Sequence, residues 1–388
     1  MGFDMSFLET NLKRKMRENF EQKSAAGAIV RVMQGEKTCF EHAEGFADVN
    51  AQTPVTSGSI FRMYSNSKPV TMIALMQLYE RGLIFPEDPL SEYFPAFADM
   101  PVAVEAPDGS VRYEKQQTPI TLRHLYTMTS GVCYPGEDSA AARSMKAAIG
   151  KHYGESVTLD DVANIVATEG ALHFQPGARW EYGFSHDLLG ALIEKVSGMP
   201  FGEYLRKNVF EPLRMEDTGF WVPKAKSDRL ITAYEVTNGE YCPYVAGDAF
   251  TPSFLRPPLY ESGGGGLAST LDDYSRFSQM LLGGGEYRGE RLLGRKTVEM
   301  MTTNQLNDEQ LKDFGWAERG YGYGVGMRTS LRPWLLNGSV GEFGWDGMLG
   351  TWLAVDPCEG VSVVYLQNMF PYATTGMRLM PIIYAALE

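Results

Sequence analysis

The spacing of apolar and polar positions divides the chain into three stretches. Near the start, Phe7, Leu8, Leu12, Met16 and Phe20 recur at helical spacing among Lys13, Arg14, Lys15 and Arg17, which predicts an amphipathic helix over 5–22. Residues 26–34 (AGAIVRVMQ) then read as a strand, Gly35-Glu36 as a turn, and 37–47 as the returning strand of a hairpin. The middle is helical. Residues 67–81 (SKPVTMIALMQLYER) give the clearest helix, with Pro69 in its first turn, where a missing N–H costs nothing, and Gly82 as its stop. Further helices are predicted at 120–130, 157–168, 186–197 and 200–208, separated by long Pro- and Gly-bearing loops, followed by a loop-rich stretch over 236–262. A helix at 270–282 carries Asp272 and Asp273 in its first turn and closes at Gly283-Gly284-Gly285. The period then shortens: 321–328, 341–356 and 360–368 read as strands, and 371–387 as a last helix. Strands at both ends with helices between them predict an α+β chain, one mixed sheet built from both termini with a helical middle inserted.

Composition narrows what such a chain can do. Its 388 residues are 44% apolar and 21% charged, close to soluble globular averages, which excludes a disordered chain, a coiled coil or a collagen-like repeat. Thirty-five Lys and Arg against 48 Asp and Glu leave a net charge of −13, which argues against a nucleic-acid or anionic-membrane partner. The basic residues at 13–17 read as a solvated helix face. Cys39, Cys133, Cys242 and Cys358 lie far apart, with neither CxxC nor zinc spacing, as expected of thiols in a reducing compartment. The first twenty residues hold no apolar signal core and no run of 18 apolar residues occurs, so the expected location is the cytoplasm.

Most familiar chemical signatures are absent: there is no GxSxG, HExxH, Walker A or EF-hand loop. Gly263-Gly264-Gly265-Gly266 lacks dinucleotide-binding spacing and reads as a close-packed turn. No pair among His42, His124, His152, His173 and His186 has metal spacing, and neither metal nor cofactor is expected. Ser185-His186-Asp187 resembles a catalytic triad written in a row, but helix neighbours point about 100° apart and do not converge. The productive match is Ser65-Asn66-Ser67-Lys68. Three residues make nearly one helical turn, so Lys68 can lie over Ser65. A serine hydroxyl needs a base within hydrogen-bond reach, and a lysine serves once burial lowers its pKa.

The surrounding sequence, SIFRMYSNSKPVTMIALMQLYERGLIFPEDPLSEYFPAF, resembles the serine β-lactamase and penicillin-binding-protein superfamily, closest to class C β-lactamases and family VIII carboxylesterases. Asp88-Pro89-Leu90, the segment Ile120 to Gly131, and Gly265-Gly266-Leu267-Ala268-Ser269-Thr270-Leu271-Asp272-Asp273 follow in family order, and the likeness runs from about Ser59 to Pro357. The resemblance implies a mostly antiparallel sheet flanked by helices: an α/β domain from 1–62 and 262–388, a mainly helical domain from 63–261, and the active site between them. It implies Ser65 as nucleophile, with Lys68 and Tyr182 (after Pro176-Gly177) as a coupled base. It also implies an oxyanion hole from the backbone N–H groups of Ser65 and Met348. Phe184 stands where β-lactamases carry Asn, and Trp345-Asp346-Gly347 where they carry Lys-Thr-Gly. These departures favour small neutral esters, with Trp345 stacking on an acyl or alkyl group. A β-lactamase, a D-aminopeptidase or a D-alanyl carboxypeptidase remains the alternative. Retention of Ser65, Lys68 and Tyr182 weighs against a non-catalytic binder. A small-molecule substrate is expected, and the oligomeric state is left open.

Overall fold

The computed structural model describes residues 2–152, 156–244, 253–333, 335–371 and 374–388. An amphipathic helix α1 (Met5–Glu21), N-capped by Asp4, leads into the hairpin β1 (Gly27–Gln34) and β2 (Lys37–Asp48) and a short β3 (Thr53–Pro54). Five strands from the far end of the chain complete the sheet: β4 (Tyr321–Tyr323), β5 (Arg328–Ser330), β6 (Phe343–Asp346), β7 (Trp352–Asp356) and β8 (Val361–Gln367). The order is β4-β5-β6-β7-β8-β1-β2-β3, antiparallel throughout, and β8 joins β1 with Val30 opposite Tyr365 and Val32 opposite Val363.

The period-2 alternation sends alternate residues of the central strands to two separate cores. Ile29, Met33, Leu353, Val355, Val364 and Leu366 join one, and Val30, Val32, Ala354, Val363 and Tyr365 join the other. Leu8, Leu12 and Met16 of α1 close the second core. The first is closed by Tyr274, Phe277, Met280 and Leu281 of helix α8 (Leu271–Leu282), N-capped by Thr270. Between the two groups of strands lie helices α2 (Ser67–Glu80), α3 (Leu122–Tyr126), α4 (Ala140–Lys151), α5 (Leu159–Glu169), α6 (Ser185–Ser197) and α7 (Phe201–Leu205). α2 is buried along almost its whole length and packs against α6.

Several sequence expectations change; the stretch 321–328, for one, holds parts of two strands, β4 and β5, separated by 324–327. The stretch 341–356 is two strands, because the turn at 347–351 reverses the chain with Gly350 at φ +91°. The helix expected over 120–130 stops at Tyr126: the Thr127 hydroxyl bonds back to Arg123 O at 2.7 Å, and Met128 takes a left-handed φ of +58°. Of 371–387, whose residues 372–373 lie outside those described, only Met380–Ala385 is α-helical, after a 3-10 turn at Met377–Leu379. Thr375 and Gly376 are weak helix formers, and the Thr375 hydroxyl is committed to Gln367 at 2.6 Å. Conversely, α4 forms where only loop was expected. Its alanines carry a faint hydrophobic signal, but Ser139 caps it by accepting from Ala142 N–H at 3.0 Å. The loop-rich stretch after 236 also holds part of a small hairpin, Tyr234–Thr237 with Glu240–Pro243, while 245–252 lie outside the described residues.

Candidate active site

Ser65 sits in a 3-10 turn, Tyr64–Asn66, that runs directly into α2. Tyr64 holds φ at +44°, a left-handed backbone that costs a bulky residue on the order of 1–3 kcal/mol and persists only where its surroundings impose it. The turn puts Ser65 at the N-terminal end of α2, one turn from Lys68. Lys68 Nζ stands 3.2 Å from Ser65 Oγ, and the Tyr182 hydroxyl donates to the same oxygen at 2.7 Å. Three side chains separated by as much as 117 positions therefore meet at one atom.

Each partner is held from behind. Lys68 is fully buried and donates to Gly264 O at 2.6 Å, with the Tyr134 hydroxyl at 3.5 Å and the Tyr182 ring centroid 4.4 Å away. The glycine run permits this approach, since a Cβ on Gly264 would collide with Asp187 Oδ2 and the Tyr134 hydroxyl. Asp187 fixes the same loop: its Oδ1 accepts from the Tyr260 hydroxyl and the Ser262 hydroxyl, each at 2.6 Å, and from Gly264 N–H at 3.3 Å. The buried carboxylate thus fixes, on its N–H side, the residue whose carbonyl holds Lys68. Tyr182 is stacked with Trp180 (6.2 Å between centroids) and Trp345 (6.0 Å), and Tyr134 meets its edge at 5.6 Å.

Trp345 was expected to stack on an acyl group. It is only 4% exposed, lies against Tyr182 and makes an edge contact with Tyr323 at 5.3 Å, so its ring is taken up in supporting the tyrosine. Phe184 packs edge-on against Tyr134 at 4.9 Å and brings no polar atom to the site. Gly347 opens the β6–β7 turn and Met348 follows it. Gly347 N–H donates to Thr351 O at 2.9 Å and Gly350 N–H to Gly347 O at 2.7 Å.

Ser185, His186 and Asp187 part company as helix geometry requires. Ser185 Oγ pairs with Ser130 Oγ at 3.3 Å, while Asp187 faces the glycine loop. Neither ring nitrogen of His186 has a partner among the described residues; burial, and secondarily Lys68, holds its imidazole far below the usual range and therefore neutral. Among the described residues no group of three or more His, Cys, Asp or Glu could hold a metal ion, and no helix is long and apolar enough to cross a membrane. Sequence reasoning missed Tyr134, Asp187 and the Gly264 carbonyl. Local pattern marks none of them, because the approach of Tyr134 and Gly264 to Lys68 depends on two loops folding onto α2 from 66 and 196 positions away, and Asp187 of α6 matters only through the second of them.

Burial pushes the Asp346 carboxyl up to about 6, against partial opposition from Arg328, Lys68 and Arg319. An ordinary aspartate titrates near 3.9, so the unfolded chain loses this proton at lower pH than the folded one. Stability owed to the protonated form is fully present below about 4 and is lost as pH rises through about 6. Asp346→Asn is therefore expected to raise the melting temperature, relative to the parent, more at pH 8 than at pH 5. Equal shifts at the two pH values would show that Asp346 titrates normally.

A serine between an amine and a phenol, at the start of a buried helix beside an antiparallel sheet, is the arrangement of a known class of proteins. Residues 12–383 match the Beta-lactamase family model, and the chain belongs to that family. It is 31% identical over 364 residues to Protein Rv1367c of Mycobacterium tuberculosis, covering 92% of this chain and 89% of the relative. It is 25% identical over 381 residues to Esterase EstB of Burkholderia gladioli, covering 95% and 92%. Among solved structures it superposes on EstCE1, described as a hydrolase with promiscuous acyltransferase activity, with a TM-score of 0.82 at 24% identity over 98% of this chain and 99% of that one. That likeness shows the shared fold.

Proposed function

We propose that this chain is a serine hydrolase that cleaves small, neutral carboxylic esters through an acyl-enzyme. The observation that carries the reading is the pair of contacts to Ser65 Oγ, 3.2 Å from the Lys68 amine and 2.7 Å from the Tyr182 hydroxyl. Ser65 Oγ attacks the ester carbonyl carbon while its proton passes into the Lys68–Tyr182 pair, which shares it as one unit. The backbone N–H groups of Ser65 and Met348 stabilise the resulting oxyanion. Collapse of the tetrahedral intermediate breaks the bond to the alkoxy oxygen, and the pair returns the proton to the departing alcohol. Water then adds to the acyl-enzyme carbonyl with the pair again taking a proton, and Ser65 leaves with it as the carboxylic acid is released. No cofactor enters any of these steps. The name of the EstB relative, an esterase, supports the same reading.

Choice of substrate follows from the charge available around the site. β-Lactams and D-alanyl peptides carry a carboxylate, and a desolvated carboxylate without a cationic partner is costly. Trp345 offers no cation, Asp346 beside it is anionic above about pH 6, and the net charge of −13 slows anionic substrates at low salt. The comparison to make is kcat/KM for p-nitrophenyl acetate, butyrate and decanoate against nitrocefin and D-alanine p-nitroanilide. We expect a short-chain ester to exceed both amides by at least about 10²-fold, in keeping with the cost of an unpaired buried charge. If nitrocefin or the D-alanine amide is turned over faster than every ester, the β-lactamase or peptidase reading replaces this one. Four free thiols, none within a disulfide, support a reducing compartment such as the cytoplasm.

A further inference from the structure

The two backbone donors assigned to the oxyanion hole belong to parts of the chain that meet only in the folded protein. Ser65 N–H lies in the 3-10 turn before α2, and Met348 N–H in the turn between β6 and β7. A useful hole needs both donors within a few tenths of an ångström of one oxygen, so something must fix the spacing of the two turns.

A single buried hydroxyl joins them. Thr351 Oγ1 accepts from Asn66 Nδ2 at 2.7 Å and donates to Met63 O at 3.2 Å. Met63 and Asn66 bracket the Tyr64-Ser65 dipeptide, so this one oxygen grips the nucleophile turn on both sides. The same threonine accepts from Gly347 N–H at 2.9 Å through its own carbonyl, which closes the turn that carries Met348. Asn66 and Thr351 are both fully buried, and the hydroxyl spends its one donor on Met63 O while accepting from Asn66. From the other side, the Tyr274 hydroxyl of α8 donates to Asn66 O at 2.7 Å. The contact is close enough to exclude a side chain: a Cβ on Gly347 would collide with Met63 O and Thr351 Oγ1.

We infer that Asn66 and Thr351 are positioning residues for the oxyanion hole, their mutual hydrogen bond setting the distance between the Ser65 and Met348 N–H groups. This rests on the acyl-transfer reading above. A void left by a lost side chain would lower stability alone. A lost spacer also lowers stabilisation of the developing oxyanion while leaving ground-state binding intact, so kcat falls and KM does not.

The test compares an ester with its thionoester analogue. Sulfur is a poor hydrogen-bond acceptor, so a well-placed hole favours the oxygen substrate, and the ratio of the two kcat/KM values reads donor placement directly. Thr351→Val keeps the shape and removes the hydroxyl; Asn66→Ala removes the other partner; Thr351→Ser restores the hydroxyl. Thr351→Val and Asn66→Ala are each expected to lower kcat for the ester on the order of 10²-fold, the effect typical of a misplacement of about 1 Å, and to collapse the oxygen-to-sulfur ratio toward unity. The double variant should be no worse than Thr351→Val, since that substitution already removes the bond that Asn66→Ala breaks. Thr351→Ser should hold both kcat and the ratio near the parent values. If Thr351→Val does not fold, Asn66→Ala and Thr351→Ser carry the same comparison. Should the parent discriminate oxygen from sulfur and the variants keep that discrimination, the bridge is structural only and the inference is wrong. A parent with no discrimination would instead remove the oxyanion hole itself, and this inference with it.

Discussion

Ser65→Ala should reduce ester hydrolysis by a factor on the order of 10⁴–10⁶, to what binding and the oxyanion donors provide without a nucleophile. The substitution exchanges a hydroxyl for a hydrogen in a half-buried turn, and both groups around it keep other contacts. Lys68 retains Gly264 O at 2.6 Å, and the Tyr182 ring stays stacked with Trp180 and Trp345. The melting temperature should therefore stay close to that of the parent. A fluorophosphonate should add one phosphonyl group to the parent, on the peptide containing Ser65, and none to the variant. Residual turnover above a few per cent of the parent would mean that another residue attacks the carbonyl.

The second large effect belongs to the proton. Tyr182→Phe removes one oxygen and leaves the phenyl ring in its aromatic surroundings, so any loss is that of the hydroxyl. Lys68→Met is the volume-conserving choice at a fully buried position. Each is expected to lower kcat by about 10²–10⁴, the range for a positioned acid–base group. The double variant should fall little below the worse single, because both contact the same Ser65 oxygen and the proposed relay uses them as one unit. Multiplicative losses would mean two independent contributions and would end the shared-relay description.

Much of this arrangement is readable in the linear sequence, for a physical reason. The segment carrying Ser65 and Lys68 is local: serine, one helical turn and lysine are set by backbone geometry once residues 67–81 are seen to be helical. The strands of both ends are legible because Val- and Ile-rich alternation has period 2. Contacts between distant loops are not legible. Tyr134 and the Gly264 carbonyl reach Lys68 through irregular backbone whose path no periodicity encodes, and Asp187 of α6 acts on Lys68 only through the glycine loop. The reversal at 347–351 was hidden for a related reason. Trp345 and Trp352 belong to one continuous apolar alternation, and only Gly347 and Gly350 mark the break. Trp345 itself carried a misleading signal: an aromatic beside a candidate site suggests contact with substrate, but packing gives it to Tyr182.

The pairing of β1 with β8 also imposes an order on synthesis. Gly27 N–H donates to the Asn368 side chain, 341 positions further on, and β1 has β8 as its neighbour on one side for nearly its whole length. A ribosome therefore releases Ser65, Lys68 and Tyr182 well before the strand that closes the sheet. Until then the β1 side of the β1–β2 hairpin is an unpaired edge, open to other nascent chains. Such late, long-range closure makes refolding slow. Expression yield should consequently depend on chaperone supply and growth temperature more than the stability of the finished molecule would suggest.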